Sequence, residues 1–226
     1  MSSLPDLFIR FWPNLLQGAW MTLLLTVQGL TAGLVLGLLS SLARVYGGKF
    51  WRALAVAYVE IFRGTPLLVQ LFLIYYGLPG VGITLSRELS AFLALALNSG
   101  AYQAEYLRGS ILAIGDSQML AGRSIGMSKW QTIREIILPQ ALRLAIPAWA
   151  NEPVTLLKST SVVFLIAVPE LMAQGKSIAA RTYNPIGAYL TVGLIYLIIV
   201  YLLDAFLKWM EVKARIPGFD AEGKKA

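Results

Sequence analysis

Apolar residues run almost without interruption through this chain, and the polar positions that break the runs mark out its elements. From Phe11 to Ala43 no charged residue occurs, which is enough for one tilted spanning helix with an interfacial lead-in. Gly18, Gly29, Gly33 and Gly37 within that run suit close helix packing. Arg44 to Arg52 follows, with three basic residues and no acid. Ala53 to about Leu78 predicts a second span, with Glu60 and Arg63 in its first turns. Pro79 to Glu88 reads as a short turn, and Leu89 to about Ile114 as a third span. A polar segment occupies about 115–140. After it, Leu142 to Ser161 is apolar but broken by Pro147, Glu152 and Pro153, and predicts an irregular fourth span. An outer re-entrant or interfacial segment continues to about Pro185. Ile186 to about Leu203 predicts the last span, with an amphipathic exit through Lys208, Lys213 and Arg215. The tail, about 218–226, is expected to be disordered.

Composition agrees with a bilayer as solvent. The chain has 226 residues, 57% hydrophobic and 14% charged, with a mean hydropathy of +0.66. An all-α integral membrane protein of about five transmembrane helices is the expected fold. Cys and His are both absent, which excludes disulfides, thiol nucleophiles, Cys/His zinc sites and imidazole bases. The net charge of +7 does not call for nucleic acid, because Lys and Arg gather in cytoplasmic loops of membrane proteins. The first loop, the segment holding Arg123, Lys129, Arg134 and Arg143, and the basic C-terminus share one side if the N-terminus faces outward. The positive-inside rule therefore gives N-out, C-in. No basic n-region precedes a short apolar core at the N-terminus, so no removable signal peptide is expected.

The polar segment from Ser117 to Pro139 predicts two short helices separated by Gly126. Asp116 or Ser117 can cap the first, and Gly126 can end it in a left-handed turn. Ser128 can cap the second, with Gln131 completing a capping box. By itself the glycine is an ordinary helix C-cap. The whole pattern resembles the EAA motif of ABC importer permeases, in which Glu-Ala-Ala-x-x-x-Gly is followed at a fixed distance by Ile-x-Leu-Pro. It maps to Leu120, Ala121, Gly122, Gly126, Ile136, Leu138 and Pro139. Leu120 stands where the motif has Glu, and Gly122 where it has its second Ala. Contact through this loop would therefore rest on Leu120, Ala121 and Ile125.

Three further segments carry the resemblance toward polar amino acid permeases of the histidine/glutamine group. Glu60-Ile-Phe-Arg-Gly-Thr-Pro-Leu-Leu-Val-Gln70 with Tyr75-Tyr-Gly-Leu-Pro79 is similar to that group's second span. Ala101-Tyr-Gln-Ala-Glu105-Tyr-Leu-Arg108-Gly109 is similar to its third. Leu156-Leu-Lys158-Ser-Thr160-Ser161 resembles its Leu-Leu-Lys-Asp-Thr-Ser segment, with Ser159 in place of Asp. The resemblance implies a single transmembrane permease domain, 1–226, in a prokaryotic inner membrane. It implies an ATPase subunit dimer docked on the Ser117–Pro139 loop, a second permease chain, identical or not, and an extracytoplasmic amino acid-binding protein. No Walker A sequence occurs in the chain, so no cofactor is expected on it. ATP and Mg would sit on the partner, and the chain would not itself be an enzyme.

Ionisable residues within spans cost at least about 2.5–3.5 kcal/mol on insertion scales, so they usually face the bundle interior. Glu152 and Lys158, beside Asn151, Thr160 and Ser161, read either as a buried ion pair or a helix-end snorkel, or as a polar lining for a passing amino acid. Glu60 with Arg63, and Glu105 with Arg108, have the spacing of local helical pairs. Trp12, Trp20, Trp51 and Trp209 read as interfacial anchors. A secondary carrier would leave the Gly126 loop unexplained, and an intramembrane enzyme would lack the side chains for its chemistry.

Overall fold

A computed structural model describes residues 4–114 and 116–214, and every described element is helical. Helix α1 (Leu4–Tyr46) has 43 residues and is about 64 Å long. It is longer than the expected Phe11–Ala43 run because Leu4 to Arg10 continues the same helix. The seam between α1 and α4 (Arg87–Ile114) is made of small residues. A Cβ on Gly33 would lie 2.8 Å from Gln103 Nε2 and 3.0 Å from Gly100 N. A Cβ on Gly37 would lie 3.0 Å from Ala104 N. Only the absence of those side chains lets the two backbones lie this close. The expected packing role of the glycine stripe is therefore met.

The second predicted span is not one straight helix. Helix α2 (Lys49–Gly64) stops at Thr65-Pro66, and the chain turns through 108° before the segment Leu67–Val81. Pro66 has no N–H to continue the ladder and holds the preceding residue in an extended conformation. Thr65 indeed has φ −122° and ψ 146°. The second segment comprises α3 (Leu67–Phe72), a π turn (Leu73–Gly77) and a 3₁₀ turn (Leu78–Val81). Tyr58 fixes α2 on α4 by donating its hydroxyl to Leu97 O at 2.7 Å.

Helix α4 is the central element. Its 28 residues, about 42 Å, bury Ser90, Ser99 and Gln103 along with five alanines. Protein rather than lipid surrounds it, so it tolerates polar side chains that a lipid-facing helix would not. Helices α5 (Asp116–Ser124) and α6 (Lys129–Thr132) follow, then a π turn at Ile133–Ile137 that leads into α7 (Leu138–Trp149). The second short helix thus does not stop before Pro139. In the π turn the Leu138 N–H reaches back to Ile133 O, and the chain enters α7 with Pro139 in its first turn, where an N–H is not required.

The fourth predicted span is broken as expected. Helix α7 ends at Trp149, and α8 (Glu152–Ser159) runs on into a 3₁₀ segment, Thr160–Ile166. The outer segment is a helix, α9 (Leu171–Thr182), bent 51° from the one before it. Glu170 starts α9: its carboxylate accepts from Met172 N and Ala173 N at 2.8 Å each, and from the Tyr196 hydroxyl at 2.7 Å. Helix α10 (Pro185–Ala214) is long, apolar and widely exposed, with Leu197, Tyr201 and Leu202 each more than 60% exposed, as a lipid-facing helix should be. Among the described residues, α1 and α10 are each long and apolar enough to cross a membrane, and each bent pair has the length and composition of one broken span. The four tryptophans read as anchors are all exposed. The predicted disordered tail and Arg215 lie outside the described residues.

One apolar core joins α1, α3, α4 and α8 through Leu25, Leu71, Leu95 and Leu156. A second packs the N-terminal half of α1 on α9 and α10 through Leu7, Leu15, Ile178 and Val192. The α1–α4 seam generates a direct expectation. Gly33→Val overpacks it and should destabilise the protein by about 1–3 kcal/mol. Gly109→Ala, where a Cβ meets nothing within 4 Å, should be neutral or stabilise by about 0.5–1 kcal/mol. The thermal unfolding midpoints of the two variants in detergent check both signs.

Candidate functional site

The loop between α4 and α7 is built by local rules. Gly126 has φ +88°, the left-handed conformation that L side chains avoid. Its N–H donates to Arg123 O at 3.1 Å, and the Met127 N–H to Gly122 O at 3.1 Å. These two bonds form a complete Schellman ending for α5. Ser128 Oγ accepts from the Gln131 N–H at 3.2 Å, and Gln131 Oε1 from the Ser128 N–H at 2.8 Å, so the capping box is present. Asp116 and Ser117 lie inside the first turn of α5 rather than at its cap.

Gly122 explains how the two short helices lie flush. A Cβ there would stand 2.6 Å from Thr132 Cγ2 and 2.7 Å from Thr132 Oγ1. Beneath the pair, Ile137 packs with Ile111 and Ala141, and Met119 closes the cluster. Lys129 fastens the loop to the end of α1, donating to Tyr46 O at 3.3 Å with its ammonium 5.6 Å from the Tyr46 ring centre. A cleft of about 300 Å³ lies at that junction, lined by Leu42, Tyr46, Gly47, Lys129, Trp130 and Ile133. On the outer face of the loop Leu120, Ile125 and Trp130 are 67%, 76% and 62% exposed, and Ala121 is exposed beside them. Ile136 and Leu138 are half-buried, and Pro139 is exposed. Trp130 was not among the expected contact residues. A tryptophan in a polar loop was the available signal.

A second constellation lies between the helices. Glu152 is buried and accepts from Ser99 Oγ at 2.7 Å and from the Tyr106 hydroxyl at 3.4 Å. Gln103, fully buried, donates to Ser99 Oγ at 2.9 Å and to Leu30 O at 3.2 Å, and accepts from Trp149 Nε1 at 2.8 Å. The network therefore runs Trp149, Gln103, Ser99, Glu152, Tyr106, across α7, α4 and α8. Among the described residues no buried side-chain polar atom lacks a partner.

Two helix breaks carry further polar side chains. At the α7–α8 break, Pro147 and Pro153 bracket Asn151. At the α2–α3 break, Gln70 Nε2 donates to Phe62 O at 2.8 Å and to Thr65 O at 3.0 Å. Asn98 Nδ2 reaches the same Phe62 O at 3.2 Å and Gln70 Oε1 at 3.1 Å. The carbonyls that Pro66 frees are thus satisfied by side chains, which broken backbone at membrane depth requires.

Of the five residues predicted to line a pathway, only Glu152 belongs to this network. Asn151 and Lys158 are exposed, and Lys158 has no ion pair among the described residues. Glu152 and Lys158 sit about 120° apart around α8, so they do not form the buried pair considered from the sequence. Thr160 is buried but spends its hydroxyl on Leu157 O at 2.7 Å, and Ser161 on Lys158 O at 2.7 Å. Ser99, Gln103 and Tyr106 were missed. Their helical spacing on one face of α4 was a legible signal. The predicted Glu105–Arg108 pair forms, with Glu105 Oε2 accepting from Arg108 Nε at 3.0 Å and Nη2 at 2.8 Å. The predicted Glu60–Arg63 pair does not. Arg63 turns to Glu105, 3.6 Å away, where Arg44 of α1 is also ion-paired.

The sequence model of "Binding-protein-dependent transport system inner membrane component" matches residues 15–216. The glutamine transport system permease protein GlnP of Escherichia coli K12 is 39% identical over 206 residues, covering 90% of this chain and 94% of that protein. The L-cystine transport system permease protein TcyB of Bacillus subtilis is 41% identical over 195 residues, covering 86% and 83%. A crystal structure of an amino acid ABC transporter with histidines superposes with a TM-score of 0.84 at 35% identity, covering 91% of this chain and 96% of that one. The inward-facing MetNI methionine ABC transporter shares the fold, with a TM-score of 0.73 at 23% identity. The chain is thus an inner-membrane protein that belongs to the family of binding-protein-dependent transport system inner membrane components, as an amino acid ABC transporter permease.

Proposed function

We propose that this chain is the membrane-spanning subunit of an ATP-driven importer for a polar amino acid, glutamine-like or basic. An extracytoplasmic binding protein delivers the substrate, and a separate ATPase dimer drives the cycle through the Ser117–Pro139 loop. The observation that carries this reading is the loop itself. A Schellman ending and a capping box hold two helices in a fixed relation, while Leu120, Ile125 and Trp130 face outward as an apolar surface. A rigid, apolar, membrane-proximal surface is what a docking partner can push on. With N-out, C-in orientation, this surface lies on the cytoplasmic side, where ATP is.

In this cycle two permease chains enclose the pathway, and closure of the ATPase dimer shifts them from an inward- to an outward-facing state. This is a two-state element biased by nucleotide. Contact at Leu120 is apolar, so docking here depends less on ion pairing than in permeases that carry the motif's glutamate. On the substrate side, Glu152 opens α8 directly after the α7–α8 break, the kind of backbone interruption that borders a transport site. Its carboxylate is the acceptor for the α-amino group, or for a basic side chain.

Two expectations follow from these assignments. Gly126→Val forces a β-branched residue into a left-handed turn at about 1–2 kcal/mol or more. ATP-driven uptake of glutamine, arginine and histidine by the reconstituted transporter should drop to background while membrane insertion stays normal. Uptake equal to wild type would remove the loop from the coupling path. Glu152→Gln keeps the acceptor for Ser99 but removes the charge. The ratio of basic to neutral amino acid uptake should fall, with ATPase co-purification unchanged. An unaltered ratio across that panel would return Glu152 to a structural role.

A further inference from the structure

Arg63 is the cation that the fold leaves over. It is the penultimate residue of α2, at the edge of the Thr65-Pro66 break. The nearby carbonyls of Phe62 and Thr65 are already taken by Gln70 and Asn98, so Arg63 is not needed as a helix cap. Its guanidinium leans instead over the ring of Tyr102, 5.4 Å from the centroid. Glu105 is its only ion-pair partner among the described residues, and the contact, at 3.6 Å, is too long for a hydrogen bond. Glu105 is meanwhile occupied on both oxygens, by Arg44 and by the two-pronged contact of Arg108. Three guanidinium groups therefore face one carboxylate, a surplus of two positive charges. Arg63 is the most exposed of the three, at 40%.

Along α4, Tyr102 is followed one turn later by Tyr106, whose hydroxyl points to Glu152. An acceptor at Glu152 and an unspent planar donor at Arg63 thus flank a wall of two tyrosine rings. An α-amino acid presents the matching pair, an ammonium and a carboxylate. A guanidinium fork fits a carboxylate with two parallel N–H donors, which an ammonium such as Lys158 does not. Lys158, on an exposed face of α8, touches none of these groups.

Resting on the amino acid transport reading above, we infer that Arg63 is the substrate-carboxylate receptor of the pathway. Glu152 takes the amino end, and Tyr102 and Tyr106 form the surface between. The site accepts amino acids with a free carboxylate and rejects the corresponding amines.

The test uses the permease–ATPase complex in lipid nanodiscs, without the binding protein, which would impose its own selectivity. Equilibrium binding is measured for L-arginine against agmatine and for L-histidine against histamine, with L-glutamine as a neutral probe. In wild type the amino acid should bind better than its amine by roughly tenfold or more. Arg63→Gln should erase that preference by weakening the amino acid alone. Arg63→Lys should restore part of it. Glu105→Gln, which disturbs the cluster but spares Arg63, should keep it. The inference is overturned if Arg63→Gln weakens acid and amine equally, or if Glu105→Gln reproduces its effect, since either outcome marks a structural latch. Failure of the wild-type complex to take up any amino acid, with ATP and binding protein supplied, would overturn the proposed function instead.

Discussion

An unpaired polar group is expensive wherever water is absent, and that constraint organises this protein more than any single apolar contact. Among the described residues the chain breaks its helices at Thr65-Pro66, at Ala150-Asn151 and again before α9. A proline at such a break leaves the carbonyl four residues before it without a helical partner. At the first, Gln70 and Asn98 take over as donors. Near the second, Gln103 links Trp149 to Ser99 and so to Glu152. A bent, partly polar interior can exist because these few amides and hydroxyls pair with one another and with the carbonyls freed at Pro66.

That placement depends in turn on the α1–α4 seam. Gln103 reaches Leu30 O only because Gly33 and Gly37 let α4 lie against α1 without intervening side chains. Small residues thus contribute twice: they bring two backbones together, and they bring an amide within range of a carbonyl on the neighbouring helix. The seam also passes Arg44 to Glu105, which ties the far end of α1 to the same central helix. Helix α4 can therefore carry serines, glutamine and glutamate while burying 13 of its 28 residues.

What was legible in the sequence was mostly local. Gly126, Ser128 and Gln131 encode their turn and cap within a few residues, and the structure has them as read. The glycine stripe of α1 was equally plain. Partners distant in sequence were not legible. Arg63 sits at ideal helical spacing from Glu60, yet pairs across to α4, because α2 packs on α4 and brings its C-terminal turn beside Glu105. Glu152 and Lys158 looked like a pair until helical geometry set them on different faces. The sharp bend at Pro66 was written in Thr65-Pro66, but the apolar run around it hid the break. The fold and the loop were thus accessible from pattern, while the polar interior needed three-dimensional placement.

The two π turns have a quieter consequence. Each stands directly before a Leu-Pro pair, at Leu73–Gly77 ahead of Leu78-Pro79 and at Ile133–Ile137 ahead of Leu138-Pro139. A π turn houses one residue more than an α-turn, so it advances the helical phase by close to a full residue step, about 100°. Everything after Ile137 is therefore rotated relative to a helical wheel drawn continuously from Lys129. Ile133, Ile137, Ala141 and Ala145 are buried at four-residue spacing, so one face of the segment stays against the protein on both sides of the π turn. A chain of this kind could lose one residue within 133–137 and still form a continuous helix. It would then present the Gly126 loop at a different azimuth to whatever binds there. Spacing between the glycine and the Leu-Pro pair is in that sense an angular setting as much as a distance.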